Sequence, residues 1–185
     1  MDDRIREMLD HHEIRKLLAQ YCHTCDRADE VSMAATCSAD SWDDHGPRKM
    51  DGARVSREIV QEAIEFTKVV SHQLGQSLIT VEADEAGAET YFIATVVYPA
   101  PEGGETVNLL GGRYVDALAR EADGWKIKRR ACVREWSISL PVESDWLAGA
   151  DFVPSRRGQQ DEAYRVLKTR HLGTLLRAFG ASGAL

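Results

Sequence analysis

Four strings in this sequence carry residue types able to do chemistry: Cys22-His23-Thr24-Cys25, Asp43-Asp44-His45, His12-Glu13, and the lone Asp26 that follows the first of them. The cysteine string is formally a C-x-x-C. A structural zinc needs about four ligands, and no second pair with suitable spacing follows. A thioredoxin-type motif opens a helix after a strand, whereas this string closes a long helical pattern. Haem attachment would require His at position 26, where Asp stands. Two buried apolar cysteines are therefore expected. His12-Glu13 begins an H-E-x-x-H zinc-protease string, but Lys16 occupies the second His position. Asp43, Asp44 and His45 suggest a metal only weakly, since adjacent residues rarely all reach one ion. With Gly46-Pro47 they read as a turn. The chain has no G-x-G-x-x-G, P-loop or G-x-S-x-G, and neither a metal nor a cofactor is expected.

What Asp26 can do depends on the helix that carries it. Ile5, Met8, Leu9, Ile14, Leu17, Leu18, Tyr21, Cys22 and Cys25 recur at three- and four-residue steps. At 100° per residue they form a stripe centred near Leu17 and Tyr21, with His23 opposite and solvated. Asp26 falls at the stripe's margin, where a carboxylate can look into a cavity beneath the helix without entering the dry core. Asp29 to Asp40 is expected to hold a short helix burying Val31, Met33, Ala34 and Cys37. Ser56 offers an N-cap for a second amphipathic helix through Ile59, Val60, Ala63, Ile64 and Phe66.

From His72 the period changes to two. Leu74 to Ala83, Glu89 to Tyr98, Thr106 to Arg120 and Trp125 to Ser139 read as four strands. The intervening segments are short and rich in turn residues, so neighbours should pair as antiparallel hairpins. Gly111-Gly112 predicts a bulge or bend. Long bent strands can curl around helices and leave a hollow. Pro154 to Gln160 reads as a polar linker, and Glu162 to Phe179 as a basic helix that caps its own barrel or embraces a neighbouring subunit.

A chain of 185 residues suits one domain with a substantial core. We expect a domain over 1–140 and a C-terminal extension over 141–185. Hydrophobic residues at 43% and charged residues at 29% are ordinary for a globular protein. A formal charge of −7 repels phosphate, arguing against nucleic acid and anionic membranes as partners. No apolar run is long enough to span a bilayer. The opening Met1-Asp2-Asp3-Arg4 lacks signal-peptide character, so a cytoplasmic location is expected.

Helices followed by a bent antiparallel sheet make an α+β protein. Glu13-Ile14-Arg15-x-Leu17-Leu18-x-x-Tyr21-x-x-x-x-Asp26-Arg27-x-Asp29 resembles the opening helix of the SnoaL-like branch of the nuclear transport factor 2 superfamily. The Asp43-Asp44-His45-Gly46 string, His72 leading into a strand, and Asp123-Gly124-Trp125-Lys126-Ile127 fit the same pattern in the same order, so the resemblance covers residues 5–140. It implies a cone-shaped α+β barrel with N-terminal helices packed in a strongly curved antiparallel sheet, assembled as a dimer or trimer. The closest-looking branch holds scytalone dehydratase, bile acid 7α-dehydratase and hexachlorocyclohexane dehydrochlorinase, lyases that use a His base held by an Asp. By motif position these two fall on His72 and Asp26, and a functional Tyr falls on Tyr21. An Arg on the strand after the Trp-Lys motif falls on Arg130 or Arg129. Tyr114 or Tyr91 could supply a second pocket Tyr, with Trp42 and His45 as further substrate-binding candidates. Scytalone dehydratase has a second pocket His, for which neither of those two strands offers an equivalent.

A neutral His suits removal of a weakly acidic C–H proton beside a carbonyl, because its usual pKa lies near working pH. A carboxylate on its other nitrogen fixes the tautomer and stabilises the developing imidazolium. A Tyr hydroxyl or an Arg can stabilise charge on the substrate oxygen. Each residue also has a plainer reading. Asp26 could cap the next helix, His72 could begin a strand in solvent, and Tyr21 could be a core residue with a satisfied hydroxyl. The sequence thus points to a cofactor-independent dehydratase-like lyase acting on a small hydrophobic cyclic compound, such as a polyketide, a steroid or an aromatic-derived molecule. A ketosteroid-isomerase-like isomerase is the nearest alternative. A non-catalytic ligand-binding or assembly domain, like the small subunit of a ring-hydroxylating dioxygenase, is the other.

Overall fold

The computed structural model describes residues 2–142 and 149–167. Helix α1 (Asp3–Asp26) starts at Asp2, whose carboxylate accepts from the Arg4 N–H at 2.9 Å. It meets the sheet only from Asp10 onward. Asp10 is buried and accepts from Trp125 Nε1 at 3.2 Å and Arg120 Nη2 at 2.8 Å. Beyond it Ile14, Leu18, Tyr21, Cys22 and Cys25 are buried at helical spacing. Ile5, Met8 and Leu9, expected on the same stripe, precede that junction and are exposed.

Helix α2 (Glu30–Ala34) is capped by Asp29, which accepts from the Ser32 N–H at 3.1 Å. It buries Met33 and leaves Val31 exposed. The Asp43-Asp44-His45 string is not a turn. It ends strand β1 (Cys37–His45), and the turn is displaced to Gly46-Pro47, leading into β2 (Arg48–Met50). The long-range partner of β1 is β6 (Gly124–Val142), which pairs with it in parallel, Asp43 opposite Arg130. Local composition carries no sign of a partner so distant. Helix α3 (Gly52–Phe66) is capped by Asp51, not Ser56, whose hydroxyl instead donates to the Gly52 carbonyl at 2.8 Å. Val55, Val60 and Ala63 are buried, whereas Ile64 and Phe66, expected to pack, face solvent.

Three further long strands, β3 (Val69–Glu82), β4 (Glu85–Pro99) and β5 (Glu105–Glu121), complete a six-stranded sheet of order β2-β1-β6-β5-β4-β3. It is mixed, because β1–β6 is parallel, and open, because β2 and β3 are its edges. Bulges shape it, two of them between β5 and β6. Gly111 pairs with Trp136 and Gly112 with Arg134, so Glu135 is an extra residue on β6. Ala117 pairs with Arg129 and Leu118 with Ile127, which makes Lys128 a second one. Bulges increase twist and bend the sheet.

The expected polar linker, Pro154 to Gln160, and the residues after it lie against the ends of the helices. Arg157 donates to the Thr67 carbonyl at 2.6 Å, to its hydroxyl at 2.8 Å and to the Ala63 carbonyl. Arg27 pairs with Asp161 at 3.0 Å. A short helix, α4 (Glu162–Leu167), presents the Tyr164 hydroxyl to Asp29 at 2.8 Å. Tyr164 lies 5.3 Å from the His23 ring, which makes His23 half-buried rather than solvated. The remainder of the expected helix through Phe179 lies outside the described residues. No described helix is long and apolar enough to cross a membrane.

The Gly112 bend is tested by substitution. An added Cβ would collide with the Val133 carbonyl oxygen, a backbone atom that cannot swing aside. Gly112→Ala should therefore lose about 1–3 kcal/mol in urea unfolding. Gly87→Ala, whose Cβ would meet only Thr80 Oγ1 at 3.4 Å, should lose far less. Equal losses would refute the close approach as a restraint.

Candidate active site

Between α1, α3 and the inner face of the sheet lies a cavity of about 160 Å³. Apolar groups dominate its walls, among them Ile59, Val70, Ala94 and Leu110, together with Tyr21, Tyr98 and Tyr114. His72 and His45 are the two imidazoles on its lining. The structure brings Asp26 and His72 together. Asp26 is the last residue of α1 and His72 the fourth of β3. Asp26 Oδ1 lies 2.6 Å from His72 Nδ1, and Oδ2 accepts the His72 backbone N–H at 3.0 Å. One carboxylate thus grips both the strand and the ring. An ionised carboxylate only accepts, so this contact requires the proton on Nδ1, and in that tautomer the lone pair is on Nε2. Capping of α2 falls to Asp29, and the His72 side chain is only 10% exposed.

Cys25 Sγ, an Asp26 oxygen and a His72 nitrogen lie within 4.8 Å of one another, a set that could hold a metal ion. Burial, however, pushes the Cys25 thiol well up, away from the thiolate a metal needs. The ring nitrogen facing Asp26 is already hydrogen-bonded to it. Cys22 is also buried and is pushed up to about 12 by desolvation. The C-x-x-C thus consists of two free, protonated core thiols.

The Lys128 bulge decides which arginine faces inward. Strict alternation from buried Ile127 would bury Arg129; with one extra residue, Arg130 is buried and Arg129 exposed. Arg130 donates to both oxygens of Asp116, Nε to Oδ1 at 2.8 Å and Nη2 to Oδ2 at 2.7 Å, and both side chains are fully buried. Its guanidinium lies 4.1 Å from the ring centres of Tyr21 and Tyr114. Burial works against this charge, but Asp116 outweighs it and holds Arg130 well above its ordinary value. Arg130 is not on the cavity lining; it stands beside the two tyrosines that are. The Tyr21 hydroxyl and Arg130 Nη1 are buried without a hydrogen-bond partner among the described residues. Burial raises the Tyr21 hydroxyl well above its usual value, keeping it protonated as a donor. Tyr114 stacks on Phe92 at 4.3 Å and meets Tyr21 edge-on at 6.0 Å.

His45 reaches the cavity from β1. Its Nδ1 lies 2.9 Å from Oδ1 of the buried Asp43. Burial lowers its pKa, but hydrogen bonding to Asp43 and Cys132 outweighs this and brings it up to about 9. Arg48 and Glu62, both on the cavity wall, form an ion pair. Two expected pocket residues are elsewhere. Trp42 is exposed between the inward Ser41 and Asp43, and Tyr91 lies off the lining with Arg113 at 5.9 Å from its ring. Side chains alternate along a strand, and both residues are in the outward phase. Sequence reasoning missed Asp116, and it read Asp43 as part of a turn where the structure has an inward strand residue. A signal existed for Asp116, which shares a strand face with Tyr114 and Leu118; a carboxylate in that phase demands a buried cation.

The sequence matches a family model described as a SnoaL-like domain over residues 6–131. No curated protein matched it. Among solved structures, a candidate scytalone dehydratase from Novosphingobium aromaticivorans superposes with a TM-score of 0.65 at 19% identity, covering 79% of this chain and 97% of its own. A hexachlorocyclohexane dehydrochlorinase, LinA type 2, gives 0.64 at 14% identity, with 82% and 97% covered. The beta subunit of a candidate aromatic-ring-hydroxylating dioxygenase from Novosphingobium aromaticivorans gives 0.56 at 18%, with 71% and 92% covered. At these identities the likeness is one of fold.

The buried ion pair yields a stability prediction. Asp116→Ala leaves a guanidinium uncompensated and should destabilise the protein by about 3–5 kcal/mol, whereas the double change Asp116→Leu with Arg130→Met should recover most of that loss. Chemical denaturation measures both. A mild effect of the single change would mean that Arg130 has another counter-charge.

Proposed function

The chain belongs to the SnoaL-like domain family, and from that membership we propose that it is a cofactor-independent lyase that eliminates water from a small cyclic β-hydroxy carbonyl compound. The observation that carries this reading is the Asp26–His72 contact on the wall of an apolar cavity. In the proposed step, His72 Nε2 removes a proton from the carbon beside the carbonyl, and Asp26 stabilises the imidazolium that forms. The Tyr21 hydroxyl donates to the carbonyl oxygen as negative charge develops there. Arg130, which the resemblance would make an electrostatic clamp on the substrate, is spent on Asp116. Its role in this reading is to hold the rings of Tyr21 and Tyr114 in place.

Size narrows the substrate. A cavity of about 150 Å³ takes up benzene, and this one is about 160 Å³. A single six-membered ring with small substituents fits this volume. A double-bond isomerase would use the same base and donor, returning the proton to another carbon. Trp136, Ile138 and Leu140 on β6 and Val115 on β5 are 40–49% exposed, and we assign this apolar surface to contact with a second copy of the chain.

The test is a panel of monocyclic β-hydroxy ketones followed by absorbance of the conjugated product. His72→Ala should lower turnover by about 10²–10⁴-fold, and Asp26→Asn should reduce it with little change in KM. Retained turnover in His72→Ala would defeat the proposal; no loss of water from the panel, with conversion of a β,γ-unsaturated cyclic ketone to its conjugated isomer, would establish the isomerase instead.

A further inference from the structure

We propose that His45, oriented by Asp43, is a second catalytic residue: the general acid that protonates the departing hydroxyl, distinct from the base His72. This inference rests on the lyase reading above and divides its proton transfers between two carboxylate–imidazole pairs.

Asp43 faces inward on β1, opposite Arg130 in the β1–β6 register. Arg130 cannot serve as its counter-ion through the usual fork, because both Asp116 oxygens already hold it. A buried carboxylate needs a cation, and the group hydrogen-bonded to Asp43 is the His45 ring. The other groups facing this site from packed elements are Cys132 and Arg130 on β6, Tyr114 on β5, Tyr21 on α1, and the Arg48–Glu62 pair between β2 and α3. Cys132 offers only a weak sulfur acceptor. His45 is therefore held as an imidazolium on the cavity wall, with protonation persisting to about pH 9.

Geometry separates it from the base. Tyr114 and Phe92 are stacked, with His45 6.1 Å from the Tyr114 ring and His72 6.2 Å from the Phe92 ring. Each imidazole thus packs beside a different ring of the stacked pair, and both line the same cavity. One can address the carbon acid while the other addresses the leaving group.

The step balances. His72 Nε2 takes the α-proton, and the electrons of that C–H bond form the new C=C bond. The C–O bond breaks with its electron pair on oxygen, and His45 supplies the proton that makes this oxygen water. His72 ends as imidazolium and His45 as neutral imidazole; proton exchange with solvent restores both. No oxidant, reductant or co-reactant is needed.

Leaving-group dependence tests this directly. The probes are β-hydroxycyclohexanone, β-acetoxycyclohexanone and, for α-proton exchange in D2O, cyclohexanone. Hydroxide needs a proton to depart, whereas acetate does not. His45→Gln should slow loss of water by about a hundredfold or more, with acetate loss and α-exchange staying within a few-fold. In the wild type, loss of water should decline as pH rises through about 9, as His45 deprotonates; His45→Gln should lack this limb. Asp43→Asn, a second variant with the ring intact, should shift the limb to lower pH, because burial then acts without the opposing carboxylate. Equal loss with both leaving groups, or no loss with either, would overturn the assignment while leaving His72 in place. A wild type that neither exchanges nor eliminates would instead overturn the lyase reading, and this inference with it.

Discussion

A guanidinium wholly removed from water must find both its counter-charge and its packing inside the protein, and Arg130 organises this molecule around that demand. Asp116 supplies the charge from β5, while Tyr21 from α1 and Tyr114 from β5 supply the packing. Removing two charges from water costs several kcal/mol per ion, repaid only when geometry is good and the remaining hydrogen-bonding groups are met. The bidentate pair meets the geometric condition. One consequence is that helix and sheet meet through two rings packed on one guanidinium, Tyr21 from α1 and Tyr114 from β5. Another is that Tyr21 and Tyr114 present fixed faces to the cavity.

In the proposed reaction the chemistry falls to His72 and His45 on the cavity wall, each hydrogen-bonded to a carboxylate. Asp26 joins the end of α1 to β3 by holding a backbone N–H and a ring nitrogen together, so the imidazole is fixed by the same contact that seats the helix on the strand. Asp43 holds His45 from a separate strand. The two imidazoles have environments of different kinds. His45 is held protonated by the buried Asp43 carboxylate to which its Nδ1 is hydrogen-bonded. His72 has its Nδ1 committed to Asp26 and its Nε2 left available. The proposed elimination assigns the acid to the first of these and the base to the second.

Local pattern made some of this legible. The apolar steps of α1 mark Ile14, Leu18 and Tyr21 as core because helical periodicity is a short-range property. The four long strands and the Gly111-Gly112 bend follow from alternation and turn residues. Parallel pairing of β1 with β6 did not show, since its two strands are distant and share no turn. For the same reason Asp43 and His45 read as a turn rather than as a strand end aimed inward. Arg129 and Arg130 could not be ordered from sequence because the Lys128 bulge adds a residue, which periodicity alone does not count. Asp26 and His72 were joined by family resemblance, not by spacing. Trp42 and Tyr91 were picked for residue type, and strand phase turns both outward.

The central claim is that Asp26 fixes His72 as a base with its lone pair on Nε2, and the ring's 15N chemical shifts report that arrangement directly. In the neutral protein ring, Nδ1 should resonate as a protonated, pyrrole-type nitrogen and Nε2 as a bare, pyridine-type one. Asp26→Ala should release the ring toward the opposite tautomer. A wild-type ring with its proton on Nε2, or one that Asp26→Ala leaves unchanged, would contradict the account.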